Sequence, residues 1–82
     1  MGETKIYDAL EIQNALIADT IKEVATILEE KGYNPINQIV GYLMSGDPGY
    51  ISSYKDSRDK ILEYDRSLIT AVILEDYLSK NK

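Results

Sequence analysis

Residues 30–51 read EKGYNPINQIVGYLMSGDPGYI and hold both prolines and four of the five glycines of the chain. Apolar residues at helical spacing separate these helix breakers. Gly32 is typical of the left-handed residue that ends a helix. Asn34 and Pro35 come next, and they combine an N-cap with a proline at the first helical position. The stretch therefore predicts one helix end followed at once by a helix start.

The same device recurs at the other end of the stretch. Gly46 ends the second predicted helix, and Asp47 followed by Pro48 begins another short one. Tyr50 and Ile51 are predicted to point inward from that short helix. Two helix ends, each followed at once by a helix start, connect three helices through tight turns. This arrangement indicates an all-α architecture. The apolar stripe between the stops consists of Ile36, Ile39, Val40, Leu43 and Met44.

Helical patterns also flank the stretch on both sides. Asp8 is an N-cap candidate for a first helix that ends near Gly32, and the apolar spacing resumes after Ser53 and again after Asp65. We therefore expect a compact bundle of about four to five short helices. The predicted domain organisation is a flexible tail at residues 1–7 and a single helical domain at residues 8–82.

The last predicted helix, residues 67–78, is apolar on most of its sides. A chain of 82 residues buries only about 60–65% of the surface that its unfolded form exposes, so its own core is marginal. A helix that is apolar on nearly all sides needs packing partners on more than one side, and another subunit would supply the additional packing surface. The predicted dimer interface consists of Leu68, Ile69, Val72, Ile73 and Tyr77.

Composition argues against several functional classes. The chain has no cysteine and no histidine, so we expect no disulfide, no zinc site and no histidine-based catalysis. Asp47, Asp56 and Asp59 are better explained as helix-start residues than as a metal or acid–base cluster. We therefore expect no enzyme activity, no cofactor and no metal. No apolar run approaches a membrane span and no signal peptide is visible, which predicts a cytoplasmic protein without membrane insertion.

One functional class that the pattern of helices suggests is a small helical nucleic-acid-binding module. Three short helices with tight turns are typical of helix-turn-helix proteins. The net charge is −5, however, and residues 35–45 contain no lysine or arginine. Because phosphate contacts need a basic footprint, we expect no nucleic-acid partner.

The runs EKGYNPINQIVGY and SGDPGYI closely resemble the IreB family of small regulators from Gram-positive bacteria. The resemblance is strong over residues 21–64. It implies a non-enzymatic, all-helical, cytoplasmic homodimer that is phosphorylated by a membrane Ser/Thr kinase with PASTA domains. By this resemblance the phosphoacceptor is Thr4, which precedes Tyr7 at the spacing the family shows.

The resemblance also implies a role and partners. It implies control of cell-wall (peptidoglycan) synthesis and β-lactam tolerance through protein–protein contacts. The implied partners are the kinase, its phosphatase, and peptidoglycan-pathway or Clp-protease regulatory proteins. A phosphate adds about −1.5 to −2 charges, so it either repels an acidic surface or docks the tail on Arg58 or Arg66. We expect loss of a tail-mediated contact, since only Lys5 lies near Thr4.

Overall fold

The computed structural model describes the backbone of residues 6–80 and the side chains of residues 11–80. The predicted phosphoacceptor, Thr4, lies outside the described residues. Four α-helices make up the described part and no strand is found in it, which confirms the all-α prediction. The helices are α1 (Ile6–Glu30), α2 (Pro35–Ser45), α3 (Ser57–Ile61) and α4 (Arg66–Lys80).

The first helix is long rather than short, and it is the centre of the fold. It begins at Ile6, two residues before the predicted cap at Asp8, and it packs against each of the other three helices. Its buried side chains, Ile17, Val24 and Leu28, recur at spacings of seven and four residues, which places them on one face. The rest of the buried apolar core comes from later elements: Ile39, Tyr42, Ile51, Ile61, Ile69 and Val72.

The end of α1 is closed by backbone hydrogen bonds around a left-handed glycine. Gly32 has a φ of 90°, its N–H donates to the carbonyl of Glu29, and the N–H of Tyr33 donates to the carbonyl of Leu28. This pair of bonds is the Schellman arrangement, in which a residue without a side chain turns the chain out of the helix. The main chain can then enter α2 within four residues.

The start and the end of α2 have the geometry that turn residues favour. The side-chain oxygen of Asn34 accepts a hydrogen bond from the N–H of Asn37 at 3.0 Å, and Pro35 occupies the first helical position. At the other end Gly46 has a φ of 77°, and its N–H donates to the carbonyl of Tyr42 at 2.8 Å. Each cap satisfies a backbone group that the helix itself leaves unpaired.

After α2 the chain makes a single 3-10 turn, Pro48–Tyr50, rather than a longer helix. The carboxylate of Asp47 accepts a hydrogen bond from the N–H of Gly49 at 2.8 Å. Ile51 is fully buried as expected, but Tyr50 is half exposed. Its ring lies directly against Gly41, where a β-carbon would overlap it. Tyr50 therefore covers the outside of α2 instead of entering the core.

A second 3-10 turn, Tyr54–Asp56, leads into α3 through two left-handed residues that are not glycine. Lys55 has a φ of 49° and Asp56 a φ of 63°. This conformation costs an ordinary residue roughly 1–2 kcal/mol because its β-carbon crowds the backbone. After the turn, α3 packs against α1, and its residues Ser57 and Ile61 are fully buried. The side chain of Ser57 donates to the carbonyl of Tyr54 at 2.8 Å, so its burial leaves no hydroxyl unpaired.

Side chains tie this strained turn to the end of α1. The Nζ of Lys55 lies 2.9 Å from Oε1 of Glu30 and 5.5 Å from the centre of the Tyr54 ring, and Lys31 lies 5.1 Å from the same ring. The hydrogen bond and the charge of Glu30 raise the pKa of Lys55 above its usual value. Because the pKa of Lys55 is raised, the contact between Lys55 and Glu30 stabilises the folded state at neutral pH. This stabilisation is lost only as the pH rises through the raised pKa of Lys55.

Substitutions at Asp56 test the strain in the turn. We expect Asp56→Gly to be more stable than Asp56→Ala by about 1 kcal/mol, because glycine adopts the left-handed conformation without crowding. The Asp56 side chain makes no capping hydrogen bond, so the comparison reports on the backbone. Urea unfolding of both variants measures the difference. Asp59, inside α3, is the matched control, and there alanine is expected to be the more stable. An Asp56→Ala variant more stable than Asp56→Gly would contradict the prediction.

Candidate functional site

The outer side of α2 carries an apolar stripe on an otherwise charged protein. Charged residues are 28% of the chain, whereas Pro35–Ser45 contains none. Ile36, Val40 and Met44 follow one another at intervals of four residues, so they share one side of the helix. Their exposed fractions are 71%, 48% and 76%. Such a stripe is unusual for a surface that faces only water.

The stripe borders a groove of about 360 Å³ that is lined by residues of α1, α2 and α4. All of the groove's lining atoms are apolar, and Ile73 lines it from α4 while Ile21 lines it from α1. The remaining lining residues are Ala25, Pro35, Ile36, Ile39, Val40 and Leu43. We call this surface the α2–α4 face: Ile36, Val40 and Met44 of α2, Ile73 of α4, and the groove between the helices.

The predicted interface residues of α4 separate into two groups. Ile69 and Val72 are buried in the protomer's own core, which leaves little of their surface for the predicted subunit interface. Leu68 is half-buried against the same core. Ile73 and Tyr77 are 40% and 61% exposed. The difference arises because α4 packs one side against α1, which leaves only part of its apolar surface uncovered.

The threonines of the described helices have their hydroxyls engaged. Thr20, Thr26 and Thr70 each donate to the backbone carbonyl four residues earlier, at 3.0, 2.9 and 2.8 Å. A kinase needs an acceptor hydroxyl on backbone that can extend into its cleft, and helical backbone does not do so without unfolding. These three hydroxyls are therefore poor phosphoacceptors.

Both arginines of the chain already bind backbone carbonyls. The Nε of Arg58 donates to the carbonyl of Ile51 at 2.9 Å, and the Nη1 of Arg66 donates to the carbonyl of Leu43 at 3.1 Å. Arg66 thus satisfies a carbonyl at the end of α2, where helix carbonyls lack intrahelical partners. An incoming phosphate at either arginine would have to share or displace these contacts.

Comparison with known proteins settles the family. Residues 2–79 match the family model described as IreB regulatory phosphoprotein, which is nearly the whole chain. The chain belongs to the IreB family. The resemblance expected from the runs EKGYNPINQIVGY and SGDPGYI is therefore confirmed, and an IreB-family protein is a regulatory phosphoprotein.

Sequence analysis of this IreB-family chain missed the exposed stripe on α2. Ile36, Val40 and Met44 were assigned to the same stripe as Ile39, although only Ile39 of these four is buried. The sequence signal for an exposed apolar side is that the whole of α2 contains no charged residue. A helix that packs on one side only normally carries charged residues on the other.

Two further findings concern the helices and the side chains of the described residues. None of the helices in residues 6–80 is both long and apolar enough to cross a bilayer. Within the described residues, no group of three or more carboxylates or other ligand side chains is arranged to hold a metal ion.

Proposed function

We propose that this protein is a non-enzymatic, cytoplasmic regulator that is switched by phosphorylation of Thr4. The observation that carries the proposal is the match of residues 2–79 to a family of regulatory phosphoproteins. By the family resemblance, the regulated process is peptidoglycan synthesis, with β-lactam tolerance as its outcome. The proposed partners are a PASTA-domain Ser/Thr kinase, its phosphatase, and peptidoglycan-pathway or Clp-protease regulatory proteins.

The state of the other threonines supports Thr4 as the acceptor. The hydroxyls of Thr20, Thr26 and Thr70 are held by helix carbonyls, so phosphorylation at any of them would break a hydrogen bond and place a dianion against the helix. Thr4 precedes the first residue of α1, Ile6. Its modification would therefore leave these three helix hydrogen bonds intact.

The regulator is proposed to act as a homodimer joined through the α2–α4 face. In the described part, twelve large apolar residues are exposed against nine apolar residues in the core, so one protomer does not cover its own apolar surface. A second copy is the proposed occupant, and the distribution of charge favours this face over the rest of the surface as the place of contact. Two protomers of net charge −5 repel each other over most of their surfaces, whereas the residues that define this face are all uncharged.

We expect Thr4 to be the dominant site when the protein is incubated with a PASTA-domain kinase. Peptide mass spectrometry of the product locates the phosphate, and thermal melts compare the modified and unmodified forms. Because the proposed switch acts through a tail rather than through the packed helices, the free energy of unfolding should change by less than about 0.5 kcal/mol.

Two variants control the phosphorylation experiment. Thr4→Ala should abolish most of the incorporation, and Thr20→Ala should leave it unchanged. Pull-downs with unmodified protein and with Thr4→Glu would then identify partners whose binding depends on the tail charge. Phosphate found mainly on Thr20, Thr26, Thr70 or a serine would contradict the proposed switch.

A further inference from the structure

Met44 combines chemical reactivity with an unusual position. It is the most exposed large apolar residue of the described part, at 76%, and it continues the α2 stripe one turn beyond Val40. The whole chain has no cysteine and no tryptophan, and its only other methionine is Met1. A peroxide that meets this protein therefore finds two thioethers as its readily oxidised groups.

We propose that Met44 is an oxidation site through which peroxides weaken self-association of this protein. The inference rests on the proposed homodimer and its use of the α2–α4 face. In the reaction, a lone pair of the Met44 sulfur attacks one peroxide oxygen and the O–O bond breaks. For hydrogen peroxide, the sulfur gains one oxygen and loses two electrons, and the other oxygen leaves as water. The product, methionine sulfoxide, is reducible by sulfoxide reductases.

The effect follows from where the new polar group lies. On the free protomer the sulfoxide oxygen faces water and costs little, because Met44 is not part of the core. In the dimer it would be buried beside Val40, whose side chain offers no hydrogen-bond donor. Burying an unpaired polar group is unfavourable, by about tenfold in an equilibrium constant for each group. A two-fold interface contains two copies of Met44, so the expected weakening is roughly 100-fold.

The test compares wild-type protein with Met44→Leu before and after hydrogen peroxide treatment. Leucine is close to methionine in volume and apolar character, and it does not oxidise. The variant keeps Met1, so it accounts for oxidation elsewhere in the chain. Peptide mass spectrometry locates the added oxygen, and sedimentation equilibrium gives the dimer dissociation constant.

We expect oxidised wild type to dissociate about 100-fold more readily, Met44→Leu to be unaffected, and sulfoxide reductase to restore the wild-type value. Circular dichroism should show the same helix content before and after oxidation. A dimer with oxidised Met44 and an unchanged dissociation constant would overturn this inference and leave the homodimer standing. Untreated wild type that is monomeric at every concentration would overturn both.

Discussion

Ile36→Glu is expected to convert the proposed homodimer into a folded monomer, with the dimer dissociation constant raised by more than about 100-fold. Ile36 is 71% exposed and borders the apolar groove, so the glutamate would be buried there only when a second copy covers the face. A carboxylate buried among apolar side chains without a partner is strongly unfavourable. Sedimentation equilibrium at micromolar concentration measures the change.

The substitution is chosen so that folding is spared. Ile36 is the second residue of α2, and a carboxylate in the first turn of a helix interacts favourably with the helix dipole. The free protomer already exposes this side chain, so little packing is lost. Circular dichroism and a thermal melt should therefore match wild type, and a loss of dimer can be assigned to the interface rather than to unfolding.

Ile12→Glu is the matched control. Ile12 is an isoleucine with a similar exposed fraction, 63%, and it is also helical. It is nine residues from Ile21, which places the two side chains on opposite sides of α1, and Ile21 lines the groove. We expect this variant to remain dimeric. A dimer that survives Ile36→Glu but dissociates with Ile12→Glu would place the interface on the first half of α1 and contradict the α2–α4 face.

Gly46→Val is expected to destabilise the protein by about 3 kcal/mol. Two costs add. A β-branched residue is strained at a φ of 77°, and a β-carbon there would lie 2.9 Å from Cζ and Nη2 of Arg66. Moving Arg66 would also remove its hydrogen bond to the Leu43 carbonyl. In a chain of this size each kcal/mol lowers the melting temperature by roughly 4–8 °C.

Gly32→Val separates the two costs. Gly32 also has a positive φ, 90°, but nothing lies within 4 Å of the place where its β-carbon would be. We expect a loss of about 2 kcal/mol there, from backbone strain alone. Gly46→Asn should recover part of the stability, because asparagine tolerates the left-handed conformation. A Gly46→Val protein as stable as wild type would mean that the cap does not constrain the turn.

The two boundaries of α2 were determined by the sequence alone. Gly32, Asn34 and Pro35 lie at the first boundary, and Gly46, Asp47 and Pro48 lie at the second, where the structure has the corresponding caps. A cap depends on the backbone preference of one residue and on hydrogen bonds within one turn. All of that information is local, so a single sequence carries it. The specific motifs of residues 30–51 likewise identified the family.

Which apolar residues enter the core was decided only by the tertiary structure. Ile69 and Val72 face α1, whereas Ile73 of the same helix faces the groove, and Tyr50 lies on Gly41 instead of pointing inward. When the apolar stripe of a helix is wider than the surface that one neighbouring helix can cover, the sequence does not determine which of its residues become buried. Lys55 and Asp56 show the same limit, because their left-handed conformation is held by α3 packing and by Glu30 rather than by local preference. Contacts between residues distant in sequence select among states that are locally similar in energy, and only the folded chain contains those contacts.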